Sequence, residues 1–228
     1  MIEELLPAAA AAAEAFGDPG PADLFPEEER VVAKAVDKRR REFGTARACA
    51  RAALAKLGLP AVPILPGPRG APQWPAGVVG SITHCEGYRA CAVARGRDVL
   101  ALGLDAEPNQ PLPAGVLDVV ALAEEQAWLR DLAGTPAGAA GTGSAPAGVC
   151  WDRLLFSAKE SVYKTWFPLT GRWLGFEQAV ITVQPATGTF SARILASSPA
   201  AGDRRLTSLA GAWLARRGLV VTAIAVPA

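Results

Sequence analysis

Apolar positions follow two periods along this chain, and each change of period marks an element. Val32, Val36, Phe43, Ala50, Leu54 and Leu57 recur at helical spacing and form one apolar stripe. Pro26, followed by Glu27, Glu28 and Glu29, starts that helix, because proline suits the first turn and acids there complement the dipole. The pattern predicts a helix running to about Leu57, with a kink at Gly44 and a left-handed stop at Gly58. Residues 1–25 read as irregular, apart from a short helix within 3–16, and 60–75 is a proline- and glycine-rich loop.

The period then shortens to two. Residues 78–83, 90–94 and 100–106 read as strands of a small meander. Residues 116–132 read as a helix in two pieces, and 134–148 as a flexible loop. A second long helix is predicted over 151–167, capped by Asp152 and stopped before Pro168. Strands follow at 176–183 and 190–195, then a hairpin of 210–214 with 219–226 that turns at Arg216, Arg217 and Gly218. Helix-then-strands thus occurs twice. The order predicts two similar halves, 1–107 and 108–228, joined near Asp105–Gln110.

Composition narrows the function. At 228 residues and 50% hydrophobic, the chain buries a substantial core. A net charge of +1 supplies no global field toward nucleic acid or membrane, so an anion site must come from local clustering. Four cysteines lack Cys-x-x-Cys spacing and only one histidine, His84, is present, which speaks for free thiols in a reducing cytoplasm rather than zinc. The N-terminus has no basic signal-peptide region, and the alanine run at 8–13 is too short to span a bilayer.

Within that frame two carboxylate signals stand out. Leu102-Gly103-Leu104-Asp105-Ala106-Glu107 is an apolar strand ending in acids two positions apart, which a strand places on one face. Two such carboxylates repel unless a cation lies between them, and Mg²⁺ prefers carboxylate, water and phosphate oxygens. Each acid pair alone reads equally as a solvated strand end. In Phe156-Ser157-Ala158-Lys159-Glu160-Ser161-Val162-Tyr163-Lys164, Glu160 and Lys164 share a helix face; they are either an ordinary ion pair or a third metal ligand beside an anion-holding lysine. From Lys34 to Lys56 eight basic residues face two acidic ones, with Arg40, Arg47 and Arg51 on one side of the helix, either a phosphate clamp or a basic surface. Gly80-Ser81-Ile82-Thr83-His84-Cys85 adds hydroxyls and the histidine on a strand. The set suits a ligand with several phosphates and a metal-chelated pyrophosphate. No Walker or Gly-x-Gly-x-x-Gly loop is present.

These blocks resemble the signatures of the Sfp/EntD-type 4′-phosphopantetheinyl transferases. Gly80–Cys85, Gly103–Glu107 and Phe156–Lys164 match in order and spacing; Lys38–Phe43, Arg47–Arg51 and Trp166–Phe176 point to the actinobacterial branch. The resemblance implies an α+β fold of two pseudo-symmetric halves, each a long helix on a small mostly antiparallel sheet, working as a monomer with coenzyme A in the cleft between them. It implies Asp105, Glu107 and Glu160 as ligands of Mg²⁺, with Mn²⁺ as the alternative. Asp105, Glu160 and Lys164 then form the catalytic group. Glu160 serves as base directly or through water, and Lys164 neutralises the leaving phosphate. Ser81, Thr83, His84, Lys159 and Lys164 are expected around the coenzyme A phosphates, and Arg39, Arg40 and Arg47 near its 3′-phosphate. Relatives often carry a lysine where this chain has Pro66; either Arg69 substitutes for it or the contact is missing. The expected partners are coenzyme A and apo acyl or peptidyl carrier proteins, with no nucleic acid and no membrane. Residues 116–122 and the aromatics Phe167, Trp173 and Phe176 are the expected carrier surface. A magnesium-dependent phosphodiesterase and a non-catalytic coenzyme A-binding module are the alternatives.

Overall fold

In the computed structural model, which describes residues 1–20, 23–134, 148–197, 200–201 and 204–228, two antiparallel sheets lie face to face and a 20-residue helix covers the outer face of each. The first sheet has the order β1-β3-β2, from β1 (Ala10–Phe16), β2 (Val78–Cys85) and β3 (Tyr88–Arg95). The second has the order β4-β10-β9-β6-β5, from β4 (Val99–Pro108), β5 (Ala179–Gln184), β6 (Thr189–Ile194), β9 (Ser208–Arg216) and β10 (Leu219–Pro227). A two-residue ribbon, β7 (Ala200–Ala201) with β8 (Arg204–Arg205), stands apart. The α+β class holds.

Alternation along single strands builds the layers. On β3, Cys91 and Val93 turn toward α2 (Asp37–Lys56) and pack with Cys49, Ala50, Ala53 and Leu54. Their neighbours Ala90, Ala92 and Ala94 turn inward and meet Leu102, Leu104 and Ala106 of β4. The opposite face of β4 carries Gly103, Asp105 and Glu107 toward α5 (Trp151–Thr170). A β-carbon on Gly103 would run into the Ser161 carbonyl oxygen and the Thr165 hydroxyl, so only glycine lets helix and strand come this close.

Several expectations need correction. The alanine run is strand β1, paired along its length with β3, after a 3₁₀ turn at Ile2–Leu5. Alanine's helical preference yields because its small side chain fits between α2 and the opposite sheet. The long first helix is two: α1 (Pro26–Val32) and α2, broken at Val36, whose extended backbone caps α2 and whose side chain is exposed. Arg40 stabilises the break by donating to the Val32 carbonyl oxygen at the end of α1 (3.1 Å). Gly44 lies buried within α2 and marks no break. β4 leaves the expected meander to pair with β10. Pro168 sits inside α5, which ends at left-handed Gly171. Its N-cap is Cys150, whose N–H donates to Asn109 Oδ1 (2.9 Å), while Asp152 accepts from the Leu112 N–H (2.8 Å).

Two helices and the last hairpin lie where the spacing put them. α3 (Val116–Val120) and α4 (Ala123–Gly134) are the two helical pieces. The loop expected at 134–148 falls almost wholly outside the described residues. Arg217 and Gly218, both at positive φ, turn the last hairpin. All four cysteines are free, and no described helix is long and apolar enough to cross a membrane.

The packing at Gly103 is testable. Gly103→Ala is expected to destabilise the protein by about 3 kcal/mol, because it forces two rigid elements apart. For a chain of this size that lowers Tm by roughly 10 °C. An unchanged melting curve would show that α5 does not rest on β4 here.

Candidate active site

The seam between β4 and α5 gathers the charged groups. Lys164 Nζ donates to Asp105 Oδ1 (2.6 Å) and to the Leu104 carbonyl oxygen (3.1 Å). Arg153 pairs with Glu107 (3.0 Å) and donates to the carbonyl oxygens of Gln110 and Pro111. Arg153, Glu160 and Lys164 are spaced by seven and four residues, so they occupy one helix face. The same heptad spacing was the signal in the sequence that would have added Arg153 to the candidate set.

Asp105 is only 4% exposed. Besides Lys164, its Oδ1 accepts from the Thr83 hydroxyl (3.3 Å), whereas its Oδ2 is buried without a hydrogen-bond partner. Burial first, and then the charge of Asp105, push the Glu160 carboxyl above the usual range, with Lys164 opposing. The same two causes raise Glu107, with Arg153 opposing. Among the described residues, no group of three or more His, Cys, Asp or Glu is drawn together closely enough to hold a metal as it stands. The donor chemistry nonetheless suits a small hard cation: oxygens only, one of them buried and unused on Asp105, beside two acids, Glu107 and Glu160, whose anions are disfavoured.

A cleft of about 830 Å³ opens beside this seam. Arg39, Arg47, Ser81, His84, Glu160 and Lys164 all line it. Arg47 is held by a bond to the Ile64 carbonyl oxygen (2.7 Å) and lies over the Phe43 ring (3.9 Å). Its pKa is lowered to about 10, chiefly by burial, so it stays cationic at neutral pH. Arg39 lies 3.4 Å from His84 Nε2. Arginine only donates, so Nε2 accepts and the ring proton sits on Nδ1. Burial, then Arg39 and Lys164, lower the His84 pKa and favour this neutral ring. A cleft lined by two arginines, a lysine and a carboxyl group fits a polyphosphate ligand; Asp105 and Glu107 lie at the seam and are not among its lining residues.

The model for the 4′-phosphopantetheinyl transferase N-terminal domain matches residues 27–94, and that for the 4′-phosphopantetheinyl transferase superfamily matches 101–215. The chain belongs to this superfamily. It is 56% identical over 232 residues to 4′-phosphopantetheinyl transferase Svp of Streptomyces mobaraensis, covering 100% of this chain and 90% of that one. It is 47% identical to PptT of Mycobacterium tuberculosis (98% and 97% covered) and 48% identical to Npt of Nocardia iowensis (99% and 99%).

Several expected site residues of this transferase are engaged by other groups of the protein. Arg40 turns to Glu29 (2.6 Å) and the α1 terminus, and Arg51 to buried Glu28 (2.9 Å), so this part of the arginine row ties helices together. Lys159 is buried, paired with Glu125 (2.7 Å) and bonded to the carbonyl oxygens of Phe176 and Ala179. Ser81 and Thr83 use their hydroxyls to accept the N–H groups of Leu104 and Ala106 (both 3.0 Å). Arg69 lines the cleft at positive φ, with its guanidinium over the Trp173 ring (4.9 Å). Of the expected carrier-facing aromatics, Trp173 is 60% exposed, Phe167 lines the cleft and Phe176 packs against Phe156.

The raised carboxyl of Glu160 gives a pH dependence with a definite sign. An acid whose folded pKa is raised favours the fold while protonated, and that contribution is lost as pH rises through the folded value. In metal-free buffer, Glu160→Gln is therefore expected to raise Tm at pH 7, with the gain vanishing toward pH 4. A lower Tm for the variant at pH 7 would contradict the assignment.

Proposed function

We propose that this transferase moves the 4′-phosphopantetheine arm of coenzyme A onto a serine of an apo carrier protein, releasing 3′,5′-ADP, at the β4–α5 seam. The observation that carries this placement is Lys164, which lines the cleft while its ammonium group is bonded to the buried Asp105. Arg39, Arg47 and His84, which all line the cleft, take the 3′-phosphate of the ligand. Arg40, Thr83 and Lys159, which other contacts hold, are left out of this set.

Asp105, Glu107 and Glu160 would hold Mg²⁺, or Mn²⁺, which shares its preference for oxygen; the ion would supply charge neutralisation at the pyrophosphate. The rest falls to the chain's own groups. Phosphoryl-type transfer depends on in-line positioning and charge neutralisation more than on covalent help. Lys164 is placed to meet the negative charge that builds on the leaving phosphate. Glu160 lines the cleft with a raised pKa, which suits a base that takes the serine proton directly or through one water. Arg153 neutralises Glu107 and fixes its rotamer. The proposed working unit is a cytoplasmic monomer with halves 1–107 and 108–228; the four free thiols fit a reducing compartment.

Intact-mass analysis of an apo carrier incubated with the enzyme, coenzyme A and Mg²⁺ tests transfer. A mass gain of one phosphopantetheine supports it, and coenzyme A breakdown without carrier gain points to a hydrolase. Asp105→Ala is expected to lower turnover by at least ~100-fold. Wild-type turnover in that variant would sink the assignment. Lys164→Ala is expected to depress kcat more than it raises KM for coenzyme A, whereas a change confined to KM would remove its leaving-group role.

A further inference from the structure

Two acids line the cleft among the described residues, Glu160 and Glu42. Glu160 belongs to the proposed reaction centre, whereas Glu42 sits on α2 and has no part in it. A carboxylate in a cleft that takes several phosphates opposes its own ligand, because like charges at short range repel. Glu42 stands between two arginines. Its Oε2 lies 3.9 Å from Arg39 Nη1, and its Oε1 lies 3.3 Å from Arg89 Nη2.

The two arginines differ in freedom. The Arg89 side chain is 3% exposed, pairs also with Asp18 (3.0 Å) and donates to the carbonyl oxygens of Cys85 and Tyr88, so it is fixed in the fold. The Arg39 side chain is 48% exposed, lines the cleft and reaches His84. Glu42 can therefore give up Arg39 and stay paired with Arg89. An incoming anion that takes Arg39 leaves no buried carboxylate unpaired, which would otherwise be costly. The 3′-phosphate of coenzyme A is a monoester, nearly dianionic and rich in acceptor oxygens. It suits a guanidinium fork better than one carboxylate oxygen at 3.9 Å.

We propose that Glu42 is an internal counter-ion that competes with the 3′-phosphate for Arg39 and so loosens the hold on coenzyme A and on the product 3′,5′-ADP. Glu42 has this role only where the cleft takes coenzyme A with its 3′-phosphate at Arg39, the reading on which the proposal rests. The product keeps the phosphate that Arg39 binds, so chemistry alone does not release it. A carboxylate that returns to Arg39 as the phosphate departs shortens the product's stay, and product release limits turnover in many enzymes.

Glu42→Gln removes the charge and keeps the shape, and its amide oxygen still accepts from Arg89. Calorimetric titration of the full chain with coenzyme A, with 3′,5′-ADP and with dephospho-coenzyme A, which lacks the 3′-phosphate, is compared between variant and wild type. The expected result is roughly threefold tighter binding of coenzyme A and 3′,5′-ADP, unchanged binding of dephospho-coenzyme A, and stronger product inhibition by 3′,5′-ADP. A purely structural role would not tighten one ligand and spare the other. Unchanged or weaker binding of the 3′-phosphorylated ligands overturns the proposal, because Glu42 would then position Arg39 or serve Arg89 alone. Equal tightening of dephospho-coenzyme A also overturns it, since that reports a general field and no competition at Arg39. Arg39→Gln tells this failure from that of the underlying reading: wild-type coenzyme A affinity in that variant removes the 3′-phosphate from Arg39, and the proposal with it.

Discussion

The approach of α5 to β4 over Gly103 is the constraint on which the site depends. With no side chain at that position, the helix backbone lies directly on the strand, and the register of one against the other is set. Asp105, two residues along, then falls against Lys164, and Glu107, two further, against Arg153. A wider gap would leave Asp105 buried without its cation, and an unpaired buried carboxylate is strongly destabilising. Fold and chemistry therefore share one steric requirement.

The electrostatics follow from this closeness. Burial raises the pKa of Glu107 and Glu160, the charge of Asp105 adds to it, and Lys164 and Arg153 offset part of the shift. Each cation also bonds a backbone carbonyl, Lys164 at Leu104 and Arg153 at Gln110 and Pro111, which ties the charges to the strand that carries the acids. The result is a seam with one acid oxygen unused and two carboxyls held reluctantly as anions. A divalent ion would relieve that imbalance more fully than the two side-chain cations do.

The sequence made the period-two strands and the second long helix legible, because alternation and helical spacing are local signals. Asp105 and Glu107 on one strand face, and Glu160 beside Lys164 on one helix face, followed from the same periods. The strand at 10–16 escaped because alanine states a helical preference while its pairing with β3 depends on residues some 80 positions away. The break at Val36 escaped because Val36 continues the apolar stripe while its backbone turns outward to cap α2. Lys159, Arg40 and Arg51 looked like ligand groups because a sequence does not reveal that Glu125, Glu29 and Glu28 await them.

Ser81 and Thr83 join the two sheets by hydroxyl oxygens that accept the Leu104 and Ala106 amides, where a continuous sheet would use carbonyls. A joint of two side-chain contacts is more compliant than a full ladder, and it lies one residue to either side of Asp105. Any shear between the two sheets therefore loads those two amides. They act as a built-in strain gauge beside Asp105, readable by proton exchange without altering the charged seam.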